Sequence, residues 1–209
     1  MIGLMRKDFY SMLLYLRQVV IVVLFIGVFS AMTKSTSMVG FMLIFLSLNM
    51  VQSCLFVDEK NHWDQYALTM PLLRKDVVKA RYVILVLIGL ASFALGIASN
   101  VVLCLVFREN SLADSVLTTV TVFLFYMLSY TISIPFAYRL SADKARYVMM
   151  GVMVGGAAVI GSVLHLFQTL AAPALQMLPA IGAAALVFLA AAFVISYKIS
   201  VAIYEKKEF

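Results

Sequence analysis

Residues 82–107 read YVILVLIGLASFALGIASNVVLCLVF, 26 consecutive positions without a charged side chain. As a helix rising about 1.5 Å per residue, the run would be about 39 Å long, more than the roughly 30 Å hydrocarbon core of a bilayer. Lipid is the solvent that suits it, with length to spare for tilt. The rest of the chain is of the same kind: 64% of the 209 residues are hydrophobic and 12% are charged, against roughly 45–50% and about 25% in soluble domains. A domain of this size has no interior large enough to hide that excess. Soluble, disordered and disulfide-scaffold classes are excluded. Cys54 and Cys104 both sit inside apolar runs without CxxC or metal spacing and read as small hydrophobes.

Outward from this run, five more apolar stretches qualify, at 18–32, 38–57, 116–138, 147–167 and 180–200. The sequence therefore predicts an all-α integral membrane protein with six transmembrane helices, residues 1–209 forming a single membrane domain without linker, repeat or soluble catalytic domain. With the N-terminus placed inside, 14 of the 16 Lys and Arg residues fall on the inner side, leaving only Lys34 and Arg108 outside. That asymmetry is the positive-inside rule, satisfied in every loop, and it predicts both termini in the cytoplasm. The net charge of +6 then reflects topology, and no nucleic-acid partner is expected. No A-x-A site follows the first apolar run, so a cleavable signal peptide is not expected.

Residues 1–16 differ from the spans. Ile2, Met5, Phe9, Met12, Leu13 and Leu16 recur at helical spacing, while Arg6, Lys7 and Asp8 break the apolar surface. The pattern predicts an N-terminal interfacial amphipathic helix lying among the headgroups. The competing arrangement extends the first span and places Arg17 in hydrocarbon, at roughly 2.5–3.5 kcal/mol if central.

Much chemistry is missing from the sequence. There is no G-x-x-x-x-G-K-[ST] run to cradle a nucleotide. The two histidines, His62 and His165, fall on opposite sides of the membrane in this topology, and no HExxH motif exists. No catalytic residue, metal site or cofactor on this chain is expected. No predicted span carries Asp or Glu near its centre, which disfavours proton-relay and ion-coupled transport.

The informative polar segment is 58–81, DEKNHWDQYALTMPLLRKDVVKAR, between the second and third runs. Trp63, Tyr66, Ala67 and Met70 share one face of a short helix, which Pro71 would end. A second helix is expected to start near Arg74. An amphipathic knob on a tight elbow suits two uses. Its aromatics can anchor a partner protein, as Trp and Tyr often do, or they can rest on the membrane surface.

These residues also carry a resemblance. Phe56, Asp58, Glu59, Lys60, Trp63, Asp64, Tyr66, Leu68, Met70, Pro71, Leu72, Arg74, Lys75, Asp76, Val78 and Ala80-Arg81-Tyr82, with the opening Leu4-x-Arg6-Lys7-Asp8 and the six-span plan, resemble the type-2 ABC transporter permeases. These are membrane subunits of ATP-binding-cassette exporters, and the likeness is to the small six-span permeases of phenol-soluble-modulin exporters. The chain departs from the family at Leu73, where a small hydroxyl residue, a natural helix N-cap, often precedes the Arg. The resemblance implies a bacterial cell-membrane location and a pair of permease chains, each above a separate ATPase subunit that carries ATP and Mg. It also implies a cytoplasmic coupling helix between spans two and three, seated in a groove of that ATPase. By position, the coupling residues would be Glu59, Trp63, Asp64, Tyr66, Leu68, Pro71, Arg74 and Lys75.

Inside the spans, Asn49, Gln52 and Asn100 are candidates for a translocation surface, although polar residues there also serve as interhelical hydrogen bonds, at about 0.6 kcal/mol each. Ser92-x-x-x-Gly96 and Gly151-x-x-x-Gly155 are small faces suited to close helix packing or to a dimer seam. Pro135 is expected to kink the fourth span. For the uncharged segment 168–179 the resemblance implies a re-entrant or surface-lying cap over the exit, and the sequence suits an ordinary connector equally well. Three functions fit the pattern: an export permease for amphipathic or hydrophobic peptides or lipophilic antibiotics, a membrane immunity or sensor protein that binds without transport, and a secondary transporter.

Overall fold

A computed structural model describes residues 2–33, 37–61, 63–68, 74–107, 112–140, 142–169 and 178–206. Within these, the side chains of 159–169 and 178–184 and of a few single positions, Asp64 and Leu68 among them, lie outside the description. The described residues are helical without strands: α1 (Ile2–Thr33), α2 (Ser37–Lys60), α3 (Trp63–Leu68), α4 (Arg74–Phe107), α5 (Leu112–Arg139), α6 (Ala142–Thr169) and α7 (Leu178–Lys206). Helix is the expected outcome, because an apolar run in lipid must satisfy its backbone N–H and C=O groups within itself.

Four helices are long and apolar enough to cross a membrane, over Met38–Lys60, Arg74–Val106, Asp114–Arg139 and Ala185–Lys206. A fifth candidate is α1, bent by 49° between Gly3–Leu13 and Tyr15–Ser30. The predicted span 147–167 lies within α6, whose described apolar part is Tyr147–Ala158. Large apolar side chains face outward along these helices, among them Leu24, Phe25, Leu105, Val154 and Val187, as lipid-facing surfaces require. Most of the predicted 168–179 segment, and Met70 to Leu73 of the elbow, lie outside the described residues.

The chain forms two compact units, Met1–Tyr126 and Met127–Lys207. In the first, α1, α2 and α4 pack together with α3 against α2. Helices α2 and α4 are antiparallel, Gly40 lying beside Gly96 at one end and Asp58 beside Arg81 at the other. The glycines are there for proximity: a Cβ on Gly40 would meet the Gly96 carbonyl oxygen at 3.3 Å and Asn100 Oδ1 at 3.2 Å. A ring cluster of Phe41, Phe45 and Tyr126 and a Phe93–Phe123 pair at 4.7 Å fill the spaces beside them.

In the second unit, α5 continues through Pro135 to Arg139 as one helix. Proline has no N–H, so the carbonyl of Thr131, four residues earlier, loses its helical donor. Ser196 of α7 donates its hydroxyl to that oxygen at 2.5 Å. Farther along, the rings of Tyr138 and Tyr204 meet edge-on at 5.4 Å. Both contacts join residues about 65 positions apart, so α5 and α7 run parallel here.

Candidate coupling site: the elbow and the ion cluster beneath it

The elbow is built from the end of α2. The Asn61 N–H donates to the Val57 carbonyl at 3.0 Å, closing the last turn, and α3 opens two residues later at Trp63. Ala67 is buried, while Gln65 and Tyr66 face outward, Tyr66 with 58% exposure. The rings of Trp63 and Tyr66 lie 5.5 Å apart, as their helical spacing requires. Glu59 and Arg74 are half-buried and Lys75 is exposed. Pro71 lies outside the described residues, as do the side chains of Asp64 and Leu68.

Beneath α3 lies a cluster of charges from three helices. Lys7 Nζ of α1 donates to both carboxylate oxygens of Asp58 at 2.5 Å and lies 3.1 Å from Asp8. Arg81 of α4 pairs through Nη1 with Asp8 at 3.0 Å and through Nη2 with Asp58. Asp8, Asp58 and Arg81 are all buried. Two cations face two anions, so the cluster is neutral as a whole, the condition under which buried charge is tolerable. Lys7 also sits 4.3 Å above the Trp63 ring, a cation–π contact of about 0.5–2 kcal/mol. The cluster therefore links α3 to the ends of α1, α2 and α4 through one side chain, Lys7. The Cys54 thiol, 4.0 Å from the Asp8 carbonyl, closes the base of the cluster.

The polar segment 58–81 is legible in the sequence, whereas the ion cluster beneath it is not. In the sequence, Lys7, Asp8, Asp58 and Arg81 are visible only as charges beside apolar runs. Their signal is complementarity, two of each sign at the same ends of neighbouring spans. The pairing of distant residues is decided by packing.

The candidate translocation residues do not gather at one point. Asn49 donates its amide to the Phe45 carbonyl of its own helix at 2.8 Å, and Gln52 is buried one turn farther on. Asn100 has no exposed surface. It donates to the Ser115 carbonyl at 3.1 Å and to Thr119 Oγ1 at 2.6 Å, joining α4 to α5. Its neighbour on α2 is Gly40, nine residues and about 13 Å of helix from Asn49. Among the described residues, no group of His, Cys, Asp and Glu could hold a metal ion.

No curated protein and no solved structure matches the chain. A family model described as ABC-2 family transporter protein matches residues 3–205, from the first turn of α1 to the last turn of α7. Because that match covers nearly the whole sequence, the chain belongs to the ABC-2 transporter family and is a permease-type membrane component.

Proposed function

We propose that the chain is the permease subunit of an ABC exporter, driven by a separate ATPase that docks on α3 from the cytoplasm. The observation that carries this reading is the Lys7–Asp8–Asp58–Arg81 cluster under Trp63. A short helix tied by charge to three helix ends can pass a displacement to all three, which a loose loop could not. The exposed Tyr66 and Gln65 form the outward surface for the ATPase, and Glu59, Arg74 and Lys75 supply charges that set its register.

Six spans follow from this reading, with residues 1–16 lying among the headgroups and both termini in the cytoplasm. The parallel course of α5 and α7 supports the count. Two parallel spans joined by α6 require α6 to return the chain across the bilayer. Two such permease chains would pair, and the open face at Gly151 and Gly155, where an added methyl group meets nothing within 4 Å among the described residues, is suited to close helix approach. Apolar spans without central carboxylates suit amphipathic or hydrophobic peptide cargo, or lipophilic antibiotics.

The test is affinity purification of the tagged chain from its native membrane, followed by mass spectrometry. An ATPase subunit with a nucleotide-binding motif should accompany it in equal amount, and the chain should stimulate hydrolysis by that subunit on reconstitution. Recovery of the chain alone, with the membrane otherwise intact, refutes the assignment.

A further inference from the structure

The second unit holds an open groove of about 440 Å3 between the C-terminal half of α5 and α7, a size within the roughly 300–1,000 Å3 typical of small-ligand sites. Ile132 and Phe136 line one wall, and Phe188, Ile195 and Ile199 line the other. Ser196 is the one hydroxyl in the lining, and its proton is already given to the Thr131 carbonyl that Pro135 leaves without a helical donor. Apart from Arg139, the groove thus offers hydrocarbon along its length among the described residues.

One charge stands at its end. Arg139, in the last turn of α5, lines the groove and is exposed. It makes no ion pair with another described residue. Because α5 and α7 run parallel, the basic last turns of both, Arg139 and Lys206, point to the same membrane face, the one that the positive-inside rule assigns to the cytoplasm.

We infer that this groove binds one anionic phospholipid of the cytoplasmic leaflet, with an acyl chain between α5 and α7 and the phosphate on Arg139. An apolar slot ending in one guanidinium is complementary to a molecule with a long hydrocarbon tail and a terminal anion. A guanidinium donates two parallel hydrogen bonds to a phosphate, and basic pockets between spans on the cytoplasmic side attract anionic headgroups. The site does not depend on the ATPase, so it stands or falls separately from the permease assignment.

The full chain is reconstituted in vesicles of equal phosphatidylglycerol and phosphatidylcholine, extracted in mild detergent and weighed by native mass spectrometry. One phosphatidylglycerol should remain bound per chain, about tenfold enriched over phosphatidylcholine, the scale of one charge-assisted interaction. Arg139→Gln should abolish the enrichment and Arg139→Lys should keep part of it. Ala192→Trp, which fills the slot with the arginine in place, should lower total retention about tenfold. If Arg139→Gln fails to fold by circular dichroism, the other two variants and the lipid comparison decide. Equal retention of both lipids by the unaltered chain, unchanged enrichment in a folded Arg139→Gln, or a chain dimer that Ala192→Trp disperses in place of a lipid adduct overturns the proposal.

Discussion

Arg81 holds two carboxylates that would otherwise face each other with Lys7 as their one cation among the described residues. Replacing it by Met leaves a net negative charge in a buried site, and Arg81→Met should destabilise the protein by about 3–5 kcal/mol. Adding Asp8→Asn restores neutrality and should recover part of that loss. Thermal unfolding in detergent of the two single variants and the double variant measures this, with a coupling of about 0.5–3 kcal/mol expected; strictly additive effects would mean that the four charges do not act as a unit. The glycines divide in the same way by surroundings. Gly40→Ala drives a methyl group to 3.2 Å from Asn100 Oδ1 and should lower stability by about 1–3 kcal/mol. Gly151→Ala meets nothing within 4 Å among the described residues and should be neutral or stabilising, by up to about 1 kcal/mol. Unfolding midpoints of the unpaired chain in detergent distinguish the two. The sequence shows a small residue at both positions, and only the packing tells which one is crowded.

Among the elements, α3 was the most legible. The spacing of Trp63, Tyr66 and Ala67 gives a helix wherever it lands, and the structure has one over Trp63–Leu68. The division of labour on it was not legible. The sequence offers both aromatics as anchors, for a partner protein or for the membrane surface; in the structure Trp63 covers Lys7 while Tyr66 points outward. Tyr66→Ala should therefore weaken ATPase binding with the unfolding temperature of the chain unchanged. Trp63→Ala should lower that temperature as well, by the equivalent of about 0.5–2 kcal/mol, and in the complex with the double variant the ATPase subunit should hydrolyse ATP without transport. Binding by surface plasmon resonance, beside unfolding curves, separates these effects; an unchanged affinity for Tyr66→Ala argues against α3 as the docking element. In α1, the spacing of residues 1–16 predicts an interfacial helix, and the structure shows what meets two of its charges: Lys7 and Asp8, on the arm Gly3–Leu13, turn onto Asp58 and Arg81. Hydrophobic periodicity reports which side of a helix is polar, and leaves open whether water, lipid or another helix meets it.

At the scale of the whole molecule, the predicted topology fixes which residues a membrane-impermeant reagent can reach. In a background with Cys54 and Cys104 replaced by Ala, Gln65→Cys should react with a membrane-impermeant maleimide only after the membrane is broken. Lys34→Cys should react in intact cells. The reverse pattern would turn the elbow away from ATP and remove the basis for coupling. Composition and charge asymmetry by themselves determined that this is a helical protein of the membrane, because the energy of moving apolar and charged side chains between water and lipid depends on residue type and hardly on neighbours. The tertiary structure alone decided which charges neutralise one another, which glycines let helices touch and where a serine replaces the hydrogen bond that Pro135 removes. Those outcomes depend on distances of a few ångströms between residues as many as 73 positions apart in the chain, and a one-dimensional pattern does not contain them.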